Sequence, residues 1–267
     1  MADVLVSIKA IADAIVLYAR EWKQIIVPFG VIFLISLLFG ILNLGLSFIF
    51  NIVWIGYAIS FIERLIDLII IMAALNPLME LVEKNRITSD WICYLGSKLV
   101  DIIKVMLFRF VITILIVLPV IIIVLLNAAA VLAAVQSIKT IGISGLFVTL
   151  ETVFGIIGIA VLITIVIAVV VNVLLIFLEI EVIVAGKGLI SAAKSSFALV
   201  KSNPLGVLLF ILLWGIIEIL VVLPIYILFI CTVCLIPVAF AITPLVITPI
   251  MWISKLILWK ELCKNLR

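Results

Sequence analysis

Residues Phe110–Leu126 read FVITILIVLPVIIIVLL, seventeen residues without a charge and with Thr113 as the sole hydroxyl among them. A bilayer's hydrocarbon core is about 30 Å thick and a helix climbs about 1.5 Å per residue, so about 20 apolar residues cross it. Taken back through Arg109 and Lys104, the run sets a span at Ile102–Leu126. The same window finds spans near Pro28–Phe50, Leu65–Val82, Phe147–Leu178, Pro204–Ile230 and Leu235–Leu258. The fourth run is long enough to tilt or protrude.

Composition agrees. Of the 267 residues, 69% are hydrophobic and 12% charged, against about 45–50% and about 25% in a soluble domain. A chain of this size has too little interior to hide such an apolar excess from water. No polar stretch is long enough to build a soluble domain. The expected fold is therefore all-α, a polytopic transmembrane helical bundle of six spans filling residues 1–267 as a single integral membrane domain. No short apolar core precedes a small-residue cleavage site near the N-terminus, so no cleavable signal peptide is expected.

Charge orients the six spans. Of the 17 Lys and Arg residues, 15 fall in four segments that six spans place on one side. These are Lys9, Arg20 and Lys23; Lys84, Arg86, Lys98, Lys104 and Arg109; Lys187, Lys194 and Lys201; and Lys255, Lys260, Lys264 and Arg267. Only Arg64 and Lys139 lie elsewhere. The positive-inside rule then predicts a cell-membrane protein with both termini in the cytoplasm.

Three of the basic segments carry apolar residues at helical spacing. In the first, Leu5, Ile8, Ala12, Ile15, Ala19 and Trp22 recur. In the second, Trp91, Leu95, Leu99, Ile102 and Met106 face away from Asp90, Tyr94, Ser97, Asp101 and Lys104. In the third, Leu189, Ala193, Phe197 and Val200 oppose Lys187, Ser191, Lys194 and Lys201. Each predicts an amphipathic helix lying in the headgroup layer, with Lys187, Lys194 and Lys201 as lipid-headgroup contacts. Each also leads into an odd-numbered span. Pro28-Phe-Gly30 and Pro204-Leu-Gly206 open the first and fifth spans alike, proline suiting a first helical turn and Asn203 a cap before it. A three-unit repeat over 1–86, 87–186 and 187–267 would explain this, as would convergent use of one way into the bilayer.

The run Gly186-Lys-Gly-Leu-Ile-Ser-Ala-Ala-Lys-Ser-Ser-Phe-Ala-Leu-Val-Lys-Ser-Asn-Pro204 resembles a signature of prokaryotic, chiefly archaeal, six-helix membrane proteins. These are related to the membrane domain of glycerophosphoryl diester phosphodiesterases. The shared pattern is a basic run of small residues, a Ser-Phe pair, then Lys-x-Asn-Pro ahead of a span. The resemblance implies the six-helix layout and no catalytic motif. The phosphodiesterase domain fused to some relatives has no counterpart in this sequence, so phosphodiester hydrolysis is not carried over.

Histidine is absent from the sequence. That removes Ser-His-Asp catalysis, H-E-x-x-H zinc chemistry, His-ligated haem and His proton relays. No catalytic residue, metal or cofactor is expected, and the chain reads as no enzyme. Ionisable residues inside spans are costly and so are functional candidates. Glu63, Arg64, Asp67, Glu151 and Glu218 form one candidate set, either meeting in an outward-facing polar cavity or, Glu218 apart, sitting at the outer water interface. Glu218, about 21 Å beyond Pro204 along a helix, is flanked by apolar residues. Asn127 and Asn172 are candidates for interhelical hydrogen bonds. Cys231-Thr-Val-Cys234 is a C-x-x-C at the outer turn, open to a disulfide, a redox pair or inert thiols. Pro237, Pro244 and Pro249 in the sixth span free backbone carbonyls, for kinking or for static packing.

Two functional readings follow. The first is a non-catalytic membrane protein that organises lipid or supports a membrane complex, its partners being membrane lipids, another membrane protein or further copies of itself. The second is a small transporter or channel with an outward-facing acidic cavity. No basic tract suits nucleic acid.

Overall fold

The computed structural model describes the backbone of residues 2–50, 53–136, 138–231 and 241–265, and the side chains of 5–42, 56, 58–128, 155–221, 223–224 and 241–264. All regular structure among the described residues is helical: α1 (Ala2–Phe50), α2 (Val53–Lys84), α3 (Trp91–Gln136), α4 (Ile138–Leu174), α5 (Leu178–Ile183), α6 (Leu189–Ser202), α7 (Pro204–Cys231), a π-helical turn (Thr243–Ile247) and α8 (Thr248–Asn265). Among the described residues, five stretches are long and apolar enough to cross a membrane: Leu5–Leu42, Ala58–Lys84, Trp91–Ala128, Gly155–Ile183 and Pro204–Val221. They overlap the first five expected spans, with shifted bounds, and mark a membrane-embedded protein. Residues 235–240 of the sixth expected span lie outside the described residues; the rest of it folds as the π-turn and most of α8.

Helical contacts divide the chain into two units, Met1–Val105 with Ile176–Arg267, and Met106–Leu175. In the first, α1 packs on α2, α7 and α8, α2 packs on α5 and α8, and α5 packs on α6. Phe29, Met72, Leu75, Leu78, Phe177 and Ile180 are fully enclosed there.

Helix ends and joints follow local chemistry. Helix α2 ends at Asn85 in the left-handed conformation (φ 57°), a conformation asparagine tolerates after a helix. Its amide donates to the Leu81 carbonyl at 2.9 Å, and Arg20 of α1 donates to its side-chain oxygen at 2.8 Å. Proline has no N–H to give the carbonyl four residues back, so Pro249 leaves the Leu245 carbonyl without its α-helical donor. The Tyr18 hydroxyl of α1 donates to that oxygen at 2.6 Å. Near its start α1 also holds α7, Ser7 Oγ donating to the Gly206 carbonyl at 2.7 Å.

The two proline junctions differ in structure. Pro204 is the first residue of α7, and the Asn203 carbonyl accepts from the Val207 amide at 3.1 Å. Pro28 instead lies inside α1, whose non-helical residue is Glu21 (φ −113°, ψ 17°). The first basic segment is thus set off from its span by a kink at Glu21 within α1, whereas α3 runs without interruption from the second basic segment into its span. Once its far end is fixed in a span, continuing a helix needs no new nucleus.

In the unit Met106–Leu175, Arg109 donates to Asn172 Oδ1 and to the Leu175 carbonyl, each at 2.9 Å. A cation thereby meets the carbonyl end of α4, where the helix dipole favours it. Asn172 makes the expected interhelical bond; Asn127 instead donates back to Ile123 of its own helix at 2.8 Å. An apolar groove of about 380 Å³ lies between α3 and α4, lined by residues such as Ile116, Pro119, Ile156 and Ile163.

Candidate functional site

Two carboxylates are buried in the short helix α5: Glu179 is 5% exposed and Glu181 is fully enclosed. Isolated, each would be costly, so each needs a cation or strong donors. Lys255 of α8 pairs with Glu179 at 3.4 Å and sits 4.1 Å above the Trp252 ring. Glu181 accepts from Trp259 Nε1 at 2.9 Å and pairs with the Lys187 ammonium at 2.7 Å.

The Gly186–Pro204 run builds the far wall of this cluster. Gly186 adopts φ 66°, a conformation glycine takes without a Cβ penalty. The turn brings the Lys187 amide to the Glu181 carbonyl at 3.0 Å while its ammonium also donates to Ser195 Oγ at 2.8 Å. Ser196, fully buried, accepts from the Phe177 amide at 3.2 Å just before α5. Helix α6 buries Ala192, Ser196, Leu199 and Val200 and exposes Lys194 and Lys201. Of the apolar stripe Leu189, Ala193, Phe197 and Val200, expected to face lipid, Phe197 is exposed and Val200 is buried. Lys194 and Lys201 have no ion-pair partner among the described residues; Lys187, expected beside them as a headgroup contact, is committed to Glu181 and Ser195.

Beside Trp259 opens a cavity of about 550 Å³ walled by the end of α2, the start of α3 and α8, with Lys84, Lys260, Lys264, Glu83 and Tyr94 at its lining. Glu80, also at its wall, is held by the α2–α3 turn: one carboxylate oxygen accepts from the amides and hydroxyls of both Thr88 and Ser89 at 2.8–3.1 Å. A second cavity of about 340 Å³ shares Lys260 and Lys264 and reaches Arg20 and Asn85.

The outer set of expected residues is only partly gathered. Asp67 of α2 lies beside Glu63 and Arg64 and is hydrogen-bonded by Ser36 of α1, with Oδ1 buried and lacking a hydrogen-bond partner. It stands about 25 Å along the helix from Lys84. Glu218 is exposed on α7, and no hydrogen bond or ion pair among the described residues joins it to Arg64, Glu63 or Asp67. The side chains of Glu151, Cys231 and Cys234 lie outside the described residues. Among the described residues, no three Cys, Asp or Glu side chains gather as a metal site.

Sequence reasoning missed Glu179, Glu181 and Trp259 as site residues. The signal available was Glu179-Ile-Glu181 closing an apolar run, where two charges demand partners. The fold and these contacts define a membrane-embedded helical protein with a charged, partly buried end. No protein-family model matches the chain, no curated protein does, and no solved structure does.

Proposed function

We propose that the chain is a non-catalytic, six-span protein of the cell membrane, both termini cytoplasmic, that organises lipid at its basic face. The observation that carries this reading is the two-sided apolarity of the first turns of α1. One side buries Ala10, Ile11, Ala14 and Leu17 against its own unit. The other leaves Leu5, Ile8, Ile15, Val16 and Trp22 exposed beside Lys9, Arg20 and Lys23. A helix with basic residues next to an uncovered apolar stripe is suited to the headgroup boundary. Lys194 and Lys201 on α6 are exposed as well, and near an anionic leaflet each contributes about 1 kcal/mol. Residues 235–258 supply the sixth span in this reading.

The test is binding of the purified protein, in nanodiscs, to added vesicles of phosphatidylcholine with and without phosphatidylglycerol. K194Q/K201Q should weaken the preference for the anionic vesicles. Equal binding to both vesicle types would overturn the reading.

A second reading, a small transporter, draws support from Asp67, whose unpartnered oxygen at intramembrane depth suits a proton or small cation. D67N and E218Q in reconstituted vesicles test it: proton or cation flux that survives both substitutions unchanged removes its basis.

A further inference from the structure

We propose that the 550 Å³ cavity bounded by α2, α3 and α8 binds a phosphate group, and that its expected source is the headgroup of an anionic phospholipid. This deepens the lipid-organising reading and rests on it, but it assigns the recognition to a different set of lysines.

The charge arrangement carries the inference. Lys260 and Lys264 are four residues apart on α8 and so share one helical face. Lys84, the last residue of α2, joins them at the same cavity. Neither Lys84 nor Lys260 has an ion-pair partner among the described residues. Lys264 pairs with Glu261 at 2.7 Å, but both side chains are well exposed, at 59% and 43%. Such a pair is weak and exchanges readily. Of the two carboxylates at the lining, Glu80 is occupied by Thr88 and Ser89, which leaves Glu83 alone against three ammonium groups. Lysines brought together with too few acids repel one another, and a bound polyanionic group removes that repulsion while accepting their N–H donors.

Chemistry and position narrow the ligand. Tyr94 and Asn76 add neutral polar groups, and Met79, Val184 and Trp259 add apolar wall. A charged mouth with apolar wall matches a phosphate ester attached to a glycerol backbone better than it matches a bare ion. The cavity lies at the basic end of the span Ala58–Lys84, the level at which headgroups sit. Its volume falls within the range of small-molecule sites, about 300–1,000 Å³. The adjoining 340 Å³ cavity, which shares Lys260 and Lys264, gives room for a headgroup substituent.

The experiment uses the full chain, delipidated in detergent, with melting temperature and native mass spectrometry as readouts. Phosphatidylglycerol, phosphatidylcholine and inorganic phosphate are titrated separately into the wild type, K84Q/K260Q and K194Q/K201Q. Phosphatidylglycerol should be retained and should raise the wild-type melting temperature. K84Q/K260Q should lose about fivefold or more in that apparent affinity, whereas K194Q/K201Q should not. If inorganic phosphate alone reproduces the stabilisation in the wild type and not in K84Q/K260Q, the phosphate site stands and its source is a free anion. Undiminished phosphatidylglycerol affinity in K84Q/K260Q overturns the cavity assignment; if K194Q/K201Q has meanwhile lost vesicle binding, the lipid-organising reading survives without it. If the double variant does not fold, K260Q and K260R decide the matter, since arginine should restore the binding that glutamine removes. Equal loss in both, with an intact helical spectrum, again overturns the proposal.

Discussion

At the scale of single residues, the decisive feature is that two buried carboxylates are each matched to a lysine. Glu179 and Lys255 are both nearly enclosed, so deleting one removes the opposite charge from a group that water solvates poorly. K255M should destabilise the protein by about 3–5 kcal/mol, and E179L/K255M should recover much of that, because an apolar pair of similar volume replaces both charges. Unfolding titrations in mixed detergent micelles measure this, and a double variant no more stable than K255M would contradict it. Gly186 makes the neighbouring Glu181–Lys187 contact by geometry. Open space surrounds the position a Cβ would take, so its φ of 66° alone resists a side chain. G186A should cost about 1 kcal/mol; an unchanged melting curve would show that the turn relaxes freely. The sequence displays Gly186 and Lys187 plainly, and even their membership of one signature run. It does not display the second donor to Glu181, because Trp259 comes from α8, 78 residues away, and meets it only through tertiary packing.

At the scale of elements, periodicity found the helices, and the chain joins them in two ways, with a kink at Glu21 in α1 and an unbroken run in α3. Apolar spacing in the first basic segment marked Leu5, Ile8 and Ile15, and these residues are indeed a continuous face, one that is exposed. The opposite side contains Ala10, Ile11, Ala14 and Leu17 and is the side that packs. A helix apolar on both sides gives only a weak amphipathic signal, so the inward face was hidden within an ordinary apolar run. Proline was similarly ambiguous. Pro204 starts a helix and Pro28 lies within one, and only the tertiary partners of α1 decide the difference. Pro249 was legible as the cause of a freed carbonyl, whereas the acceptor role of that Leu245 carbonyl toward Tyr18 was not, since 227 residues separate the two. Y18F should therefore lower stability by about 1–2 kcal/mol, the cost of a half-buried carbonyl losing its donor. A loss confined to that range in thermal unfolding, with α-helical content unchanged, checks it.

At the scale of the whole molecule, span parity is the quantity that joins sequence to topology. Between the α2–α3 turn and the C-terminus lie three described stretches able to cross a membrane, Trp91–Ala128, Gly155–Ile183 and Pro204–Val221. Three crossings would put Cys93 and the C-terminus on opposite sides. The positive-inside rule, applied to 15 of the 17 basic residues, expects the same side, and the proposed topology therefore adds one more crossing after α7, through residues 235–258. Cys93 is a free, exposed thiol, which makes it a native reporter. With Cys231, Cys234 and Cys263 changed to serine and a protease-cleavable C-terminal tag added, both reporters are read in one preparation of sealed vesicles. An impermeant maleimide should label Cys93 in inside-out vesicles and not in right-side-out ones, and the tag should be cleaved in the same vesicles that are labelled. Labelling and cleavage in opposite orientations would mean an odd number of crossings after Cys93, leaving α8 on the far side of the membrane from the α2–α3 turn. That outcome would conflict with the shared walls of the 550 Å³ cavity, where Tyr94 and Lys260 meet, because residues lining one cavity cannot lie on two sides of a bilayer.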